Sequence, residues 1–141
     1  MERVIHGKLV VAGEAAGRAL VSSEPLSFWG GYDYHTGEII DRRHPLSGQV
    51  AAARVLVVPF TRGSSTTTAV LLEAVKAKTA PAAILTTGVD SFFALASIVA
   101  DEMYHTPIPI LSLDAEDFAS LQSGEWITVS ADGKITVRAE K

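Results

Sequence analysis

Seven consecutive residues suited to binding an anion stand in the middle of the chain. The apolar run 55–60 leads through Thr61 into Arg62-Gly63-Ser64-Ser65 and three threonines, after which apolar residues recur at helical spacing. This pattern predicts a buried strand followed by a hydroxyl-rich loop at the start of a helix. Backbone N–H groups at a helix start bind carboxylate or phosphate, and hydroxyl groups and a guanidinium add further donors. The segment is therefore a candidate site for a small anion.

The same hydroxyl groups also have a structural interpretation, because Ser and Thr commonly cap helices. A cap requires one hydroxyl, whereas residues 64–68 offer five in succession, and Gly63 permits close approach of a ligand to the backbone. The segment is neither a Walker A loop nor a Gly-x-Ser-x-Gly elbow, since the lysine and the glycine spacing are lacking. A serine here acts either as a nucleophile, which needs a histidine that the sequence does not place nearby, or as a base in strongly positive surroundings.

Two further segments carry residues suited to a binding site. Phe28-Trp29-Gly30-Gly31 sets large aromatics beside paired glycines, which suits a pocket mouth or a docking surface, or else a buried loop anchored by Trp29. Asp41-Arg42-Arg43-His44-Pro45 either binds an anion or a subunit, or is a solvated charge run. His44 is also the candidate in a different class of function, a phospho-carrier module that uses an exposed histidine.

Composition argues against several classes of function. The net charge of −4 and the lack of a basic stripe argue against nucleic acid as a partner. The chain has no cysteine, so it forms no disulfide and supplies no thiolate to zinc or to an iron–sulfur cluster, and we predict no metal site in it. No apolar run approaches the roughly 20 residues that span a bilayer, and the start of the chain lacks a signal-peptide pattern. We therefore expect a cytoplasmic protein without a membrane partner.

Hydrophobic periodicity predicts one α/β domain over residues 1–141, with a mixed sheet. Strands are predicted at 4–11, 18–22, 38–40, 54–59, 82–85 and 107–111, with a bulge or close backbone approach at Gly7. Helices are predicted at 69–77, from a cap at Asp90 or Ser91 to Met103, and at 114–121. A hairpin of strands 126–130 and 134–138 is predicted around a type I′ turn at Asp132-Gly133.

Together, the segments Glu24–Gly31, Gly37–Pro45 and Arg62–Thr66 resemble the small subunit of aconitase X. The likeness extends through residues 80–84 and 96–100 and covers roughly residues 3–112. It implies a three-layer β/β/α swivelling domain like the C-terminal domain of aconitase. It also implies a heterodimeric hydro-lyase in which a large partner subunit carries an iron–sulfur cluster or a mononuclear iron. Such an enzyme dehydrates a small, anionic hydroxy acid.

The resemblance also implies roles for individual residues. Ser64 is the catalytic base and Ser65 binds substrate beside it, while Arg62, Gly63 and Thr66 complete the cradle for a carboxylate or phosphate. The residues of a possible pocket or subunit interface are Phe28, Trp29, Gly30, Gly31, Arg42, Arg43 and His44.

The substrate stays open between two compounds on which members of this family act. We favour cis-3-hydroxy-L-proline, since the composition is low in Lys and Glu, unlike that of a hyperthermophile's protein, and we keep mevalonate 5-phosphate as the second candidate. The uncharged loop 86–89 and the pair Thr67-Thr68 depart from the pattern expected of relatives. A stand-alone binding or phospho-carrier module and a serine hydrolase are the rival classes.

Overall fold

The protein is described here by a computed structural model, in which residues 2–61 and 66–139 are described. These residues form ten strands and three helices: β1 Glu2–His6, β2 Lys8–Val11, β3 Ala15–Val21, β4 Tyr32–Asp33, β5 Glu38–Ile39, β6 Val55–Val57, α1 Thr66–Ala77, β7 Ala83–Thr86, α2 Ser91–Tyr104, β8 Ile110–Ser112, α3 Ala115–Ser120, β9 Trp126–Val129 and β10 Lys134–Arg138. Over this part of the chain, each helix is too short or too polar to cross a membrane.

Two sheets share strand β3. Its residues 15–18 pair with β9 in an antiparallel sheet ordered β1-β10-β9-β3. Its residues 19–21 pair with β6 in a second sheet, ordered β3-β6-β7-β8-β2, in which the first four strands are parallel. Parallel strands end at one edge of their sheet, so the connections after them gather there. We call this the carboxyl edge, and the part of it that follows β3, β6 and β7 comprises residues 22–31, 58–61 and 87–90.

Alternate side chains of the central strands face two separate cores. Leu56 of β6 lies in a cluster with Leu71 of α1 and Phe93 of α2. Its neighbours Val55 and Val57 lie in the other cluster, which includes the inward side chains of the antiparallel sheet. Because successive side chains of a strand point to opposite faces, the parallel sheet is buried on both sides. The layers are thus sheet, sheet and helices, which confirms the predicted three-layer β/β/α architecture.

The strand predicted over residues 4–11 is in fact two strands that belong to different sheets. β1 pairs with β10, β2 pairs with β8, and Gly7 lies between them. A Cβ atom at Gly7 would lie 2.9 Å from Cδ2 of Leu111 and 3.1 Å from Cδ1 of Ile135. Glycine therefore lets the chain pass closely between the two layers, and the close approach predicted there is confirmed.

The hairpin of β9 and β10 forms as predicted, but the predicted turn type, I′, is wrong. A type I′ turn requires positive φ at both central residues. Gly133 has φ 94, whereas Asp132 is not among the residues with positive φ. The amide of Gly133 donates to the carbonyl of Ser130 at 3.0 Å, so the chain makes a type I turn followed by a glycine bulge.

Several predicted boundaries were wrong where neighbouring elements extend or shorten a strand or helix. Helix α1 begins at Thr66 and not at residue 69, because the threonines join its first turn. Strand β3 begins at Ala15, three residues before the predicted strand 18–22, because it pairs with β9. Strand β8 begins at Ile110, after the two prolines of the predicted strand 107–111.

Candidate functional site

Three connections meet at the carboxyl edge. Leu26, in the connection after β3, forms a parallel bridge with Thr61, in the connection after β6. The amide of Thr87, after β7, donates to the carbonyl of Pro59 at 3.2 Å. The amide of Thr61 donates to Oδ2 of Asp90 at 2.7 Å. Loops from three adjacent strands are thus joined directly before the hydroxyl-rich segment.

Arg62, Gly63, Ser64 and Ser65 lie outside the described residues. The proposed base and three of the four predicted substrate-binding residues are therefore placed here only by their neighbours in the chain. Thr61 precedes them at the carboxyl edge, and the half-buried Thr66 after them begins α1. The segment thus connects the carboxyl end of a parallel strand to a helix N-terminus, as the sequence predicts.

The first turns of the two long helices are joined beside this segment. Oγ1 of Thr68, in α1, donates to the carbonyl of Phe92, in α2, at 3.2 Å. Asp90 caps α2, since its Oδ1 accepts the amides of Phe92 at 3.0 Å and Phe93 at 3.2 Å. Of the two predicted caps, the structure selects Asp90.

Phe28, and not Trp29, anchors the glycine-containing loop. The ring of Phe28 is fully buried, stacks on Tyr32 at a centroid distance of 4.9 Å and meets Phe93 edge-on at 5.5 Å. Trp29 is 72% exposed, so the interpretation that it anchors a buried loop is wrong. Burial raises the pKa of the Tyr32 phenol, whose hydroxyl donates to the carbonyl of Thr79 at 2.7 Å.

The paired glycines of this loop serve different ends. Gly30 has φ 76, the left-handed region that favours glycine, and open space surrounds its missing Cβ. A Cβ at Gly31 would instead lie well inside contact distance of the Ser27 carbonyl oxygen. Together the glycines allow the tight turn that buries Phe28 and exposes Trp29.

Large apolar side chains are exposed around the carboxyl edge. Besides Trp29, Phe60 is 51% exposed and Val89 is 63% exposed. Phe60 directly precedes Thr61 and Val89 directly precedes Asp90, and these two polar residues are hydrogen-bonded to each other. We call Trp29, Phe60 and Val89 the apolar rim. Large exposed apolar side chains, aromatic ones above all, are typical of a surface that another protein covers.

A polar depression of about 460 Å³ opens at the same edge. It is lined by Glu24, Pro25, Ser27, Asp41, Arg43 and His44. The lining thus contains two carboxylates, Glu24 and Asp41, but only one guanidinium, Arg43, since Arg42 does not line the depression. Leu26, which lies between the lining residues Pro25 and Ser27, bridges to Thr61, the residue directly before the hydroxyl-rich segment in the chain.

His44 is 8% exposed, and both of its ring nitrogens face the backbone. Nδ1 accepts the amide of Leu46 at 3.1 Å, and Nε2 lies 3.4 Å from the carbonyl of Glu24. Since Nδ1 accepts, the neutral ring carries its proton on Nε2. The exposed histidine that a phospho-carrier requires is therefore missing at this position.

Sequence reasoning assigned Asp90 a capping role only and missed its bond to Thr61. The two residues are 29 positions apart, so no local pattern signals the contact. The one available signal is topological, because residues that follow neighbouring parallel strands come together at the carboxyl edge.

Comparison with known proteins agrees with this fold. Residues 4–137 match the family model described as the aconitase X swivel domain. The chain belongs to the aconitase X swivel-domain family. The resemblance noted from the sequence is thereby confirmed, and so is the fold it implied.

Relatives of this swivel domain occur within longer chains and as separate subunits. Cis-3-hydroxy-L-proline dehydratase of Pseudomonas aeruginosa is 42% identical over 97% of this chain, which spans only 23% of that protein's length. The phosphomevalonate dehydratase small subunit of Methanothermobacter thermautotrophicus is 37% identical, over 91% of this chain and 95% of its own length. The crystal structure of Thermococcus kodakaraensis aconitase X matches with a TM-score of 0.84 and 32% identity, over 96% of this chain and 98% of that one.

Proposed function

We propose that this swivel domain supplies the proton-abstracting residue, Ser64, of a dehydratase whose remaining part is a large subunit of the aconitase X type. The favoured substrate is cis-3-hydroxy-L-proline. The observation that supports the proposal most is the place of the hydroxyl-rich segment, between Thr61 and Thr66 at the edge where three loops are joined. The 42% identity to a dehydratase of that compound supports the choice of reaction.

The proposed chemistry assigns one task to each part of the segment. Ser64 takes the proton from the carbon next to the substrate carboxylate, and the C–H electron pair becomes the new double bond as the neighbouring C–O bond breaks. The departing hydroxide takes up one proton and leaves as water, and Ser64 releases the proton that it abstracted, so that the step consumes no net proton. Arg62, Gly63, Ser65 and Thr66 hold the carboxylate, since a guanidinium and the start of α1 both attract negative charge. When bound on the large subunit, an iron–sulfur cluster or a mononuclear iron would supply a Lewis acid for the hydroxyl group.

The donor groups of the swivel domain support placing that metal on the large subunit. The chain has no cysteine, which removes the usual ligand of an iron–sulfur cluster. Within residues 2–61 and 66–139, no three His, Asp or Glu side chains are grouped so that they could hold a metal ion. The hydroxyl-rich segment of this domain is therefore assigned to the substrate and not to the metal.

The charges of the polar depression favour a zwitterionic substrate. A cyclic amino acid presents a carboxylate and an ammonium group, and the ammonium suits the carboxylates of Glu24 and Asp41. A phosphorylated substrate would bring several negative charges toward the same two groups. This comparison supports cis-3-hydroxy-L-proline over mevalonate 5-phosphate.

Mevalonate 5-phosphate is kept as the second candidate for a specific reason. Several relatives that this chain matches along nearly their whole length are phosphomevalonate dehydratase small subunits. The match in chain length thus favours mevalonate 5-phosphate. The higher sequence identity and the charges of the polar depression favour cis-3-hydroxy-L-proline.

We assign the apolar rim to the large subunit. Trp29, Phe60 and Val89 lie in the three connections that meet at the carboxyl edge, so a partner that covers this edge also buries them. Aromatic side chains are enriched among the interface residues that contribute most to binding. Closure over the site would also exclude water from the reaction.

The experiment that tests the proposal is co-expression with a large subunit of the aconitase X type, followed by assays of both substrates. The Ser64→Ala variant should lose turnover while the circular dichroism spectrum and melting temperature stay unchanged. Ser23→Ala, at an exposed serine of the same edge, is the control and should retain activity. Full turnover by Ser64→Ala would remove Ser64 from the mechanism.

A further inference from the structure

We infer that Asp90 is a positioning residue for the Arg62–Ser65 segment, so that α2 as well as α1 holds the proposed base in place. The inference rests on the proposed function of that segment. It concerns a residue that does not belong to the segment and that the sequence pattern marks only as a helix cap.

The Asp90 carboxylate uses its two oxygens for different purposes. Oδ1 caps α2 through the amides of Phe92 and Phe93, at 3.0 and 3.2 Å. Oδ2 accepts the amide of Thr61 at 2.7 Å, which is the shortest of the three bonds. A hydrogen bond to a carboxylate is stronger than one between neutral groups. The residue directly before Arg62 is thus fixed to the first turn of α2.

Asp114 shows what capping alone requires. It caps α3 through Oδ1, which accepts the amide of Asp117 at 2.8 Å within the same helix. Asp90 performs that task with Oδ1 and in addition binds a loop from another strand. The two aspartates therefore form a matched pair, in which only Asp90 is expected to affect the hydroxyl-rich segment.

The far side of the segment is tied to the same turn of α2. Oγ1 of Thr68 donates to the carbonyl of Phe92 at 3.2 Å. The chain therefore contacts the first turn of α2 at Thr61, before the segment, and again at Thr68, after it. Fixing both flanks limits the conformations open to the residues between them. Misplacement of a reacting group by about 1 Å can slow a reaction by about a hundredfold.

The first test replaces each aspartate by asparagine in the complex with the large subunit. Asn caps helices as well as Asp, but a single oxygen cannot serve both the cap and Thr61. Asp90→Asn should lower kcat by about tenfold to a hundredfold and should also raise KM, because the segment that it positions both abstracts the proton and holds the substrate carboxylate. Asp114→Asn should leave kcat unchanged, and the two variants should have similar melting temperatures.

The second test uses amide hydrogen exchange on the full chain and needs no activity. In Asp90→Asn the Thr61 amide should exchange about tenfold faster or more, since it loses a bond to a charged acceptor. In Asp114→Asn that rate should stay at the wild-type value. Thr68→Val should reduce kcat in the same direction as Asp90→Asn, whereas Thr68→Ser, which keeps the hydroxyl, should not.

The outcomes separate this inference from the proposed function. If the wild-type complex dehydrates neither substrate, the proposed function fails. The exchange experiment still tests the anchoring role in that case, and an unchanged exchange rate of the Thr61 amide in Asp90→Asn would overturn it. If the wild type is active but Asp90→Asn keeps its kcat, or Asp114→Asn loses as much, Asp90 is only a helix cap and the inference is overturned.

Discussion

Nδ1 of His44 accepts the backbone amide of Leu46 at 3.1 Å, which makes this histidine a structural acceptor in the loop after β5. Its other nitrogen faces the carbonyl of Glu24, in the loop after β3, at 3.4 Å. The ring thus connects two loops that line the polar depression. This arrangement leaves no free nitrogen on the surface for carrying a phosphoryl group.

We therefore predict that His44→Ala destabilises the fold and that His44 is not phosphorylated. Removal of the ring leaves a buried amide without its acceptor, which should lower the free energy of unfolding by about 1–3 kcal/mol. Urea denaturation measures that change. Incubation of the wild type with a phosphodonor should add no phosphate by mass spectrometry, and stoichiometric labelling at His44 would contradict the assignment.

Tyr32 should make stability depend on pH in the alkaline range. Burial raises the pKa of its phenol above the ordinary value of about 10, so the unfolded chain ionises first as the pH rises. The phenol is neutral in both states below that pH, and the wild type should lose stability progressively above it. Tyr32→Phe should cost about 1 kcal/mol at neutral pH, for the lost bond to Thr79, and should lack this alkaline loss.

Denaturant unfolding of the two proteins at several pH values measures the difference. The gap in unfolding free energy between wild type and Tyr32→Phe should shrink above about pH 10. If the unfolding free energies of the two proteins change in parallel with pH, the fold does not raise the pKa of the phenol.

The neighbouring glycines of the aromatic loop should respond differently to alanine. In Gly30→Ala the new methyl group enters open space, and the only cost is the positive φ of the residue. This substitution should lower the free energy of unfolding by about 1 kcal/mol. Gly31→Ala forces a methyl group against the Ser27 carbonyl and should cost about 3 kcal/mol. Thermal denaturation of the two single variants compares them, and equal losses would mean that the loop relaxes around the methyl group.

The polar depression should select the substrate by charge. If the Glu24 carboxylate binds the substrate ammonium, Glu24→Gln should raise KM for cis-3-hydroxy-L-proline about tenfold, since a charged hydrogen bond is lost. It should not weaken the binding of mevalonate 5-phosphate. Glu14→Gln, at an exposed residue before β3 and away from the carboxyl edge, is the matched control. Steady-state kinetics of the complex would reject this role if both variants bind the amino acid equally well.

The apolar rim should become buried when the large subunit binds. Trp29 is exposed in this chain, so its fluorescence should shift to shorter wavelength on complex formation, and Trp29→Phe should lose most of that shift. Phe60→Ser should weaken association by about tenfold or more. Ile98→Ser tests another exposed apolar residue, on α2, and should leave association unchanged. Loss of binding in Ile98→Ser alone would move the interface from the rim to that helix.

Local sequence predicted most of the secondary structure. Alternating or helical spacing of apolar residues acts over a few positions, so most strands and the two long helices could be located in advance. The hydroxyl-rich segment was likewise predicted at a strand-to-helix junction. The segments Glu24–Gly31, Gly37–Pro45 and Arg62–Thr66 were sufficient to indicate the family, which the comparisons then confirmed.

Only the tertiary structure decided which side chains of the loops are buried and what they bind. Phe28 and Trp29 are adjacent and chemically alike, yet one is fully buried and the other exposed, because only Phe28 reaches the rings of Tyr32 and Phe93. The bond from Thr61 to Asp90 likewise exists only because β6 and β7 are neighbours in the sheet. Such contacts depend on which distant segments meet in the fold, and the spacing of residues along the chain does not predict this.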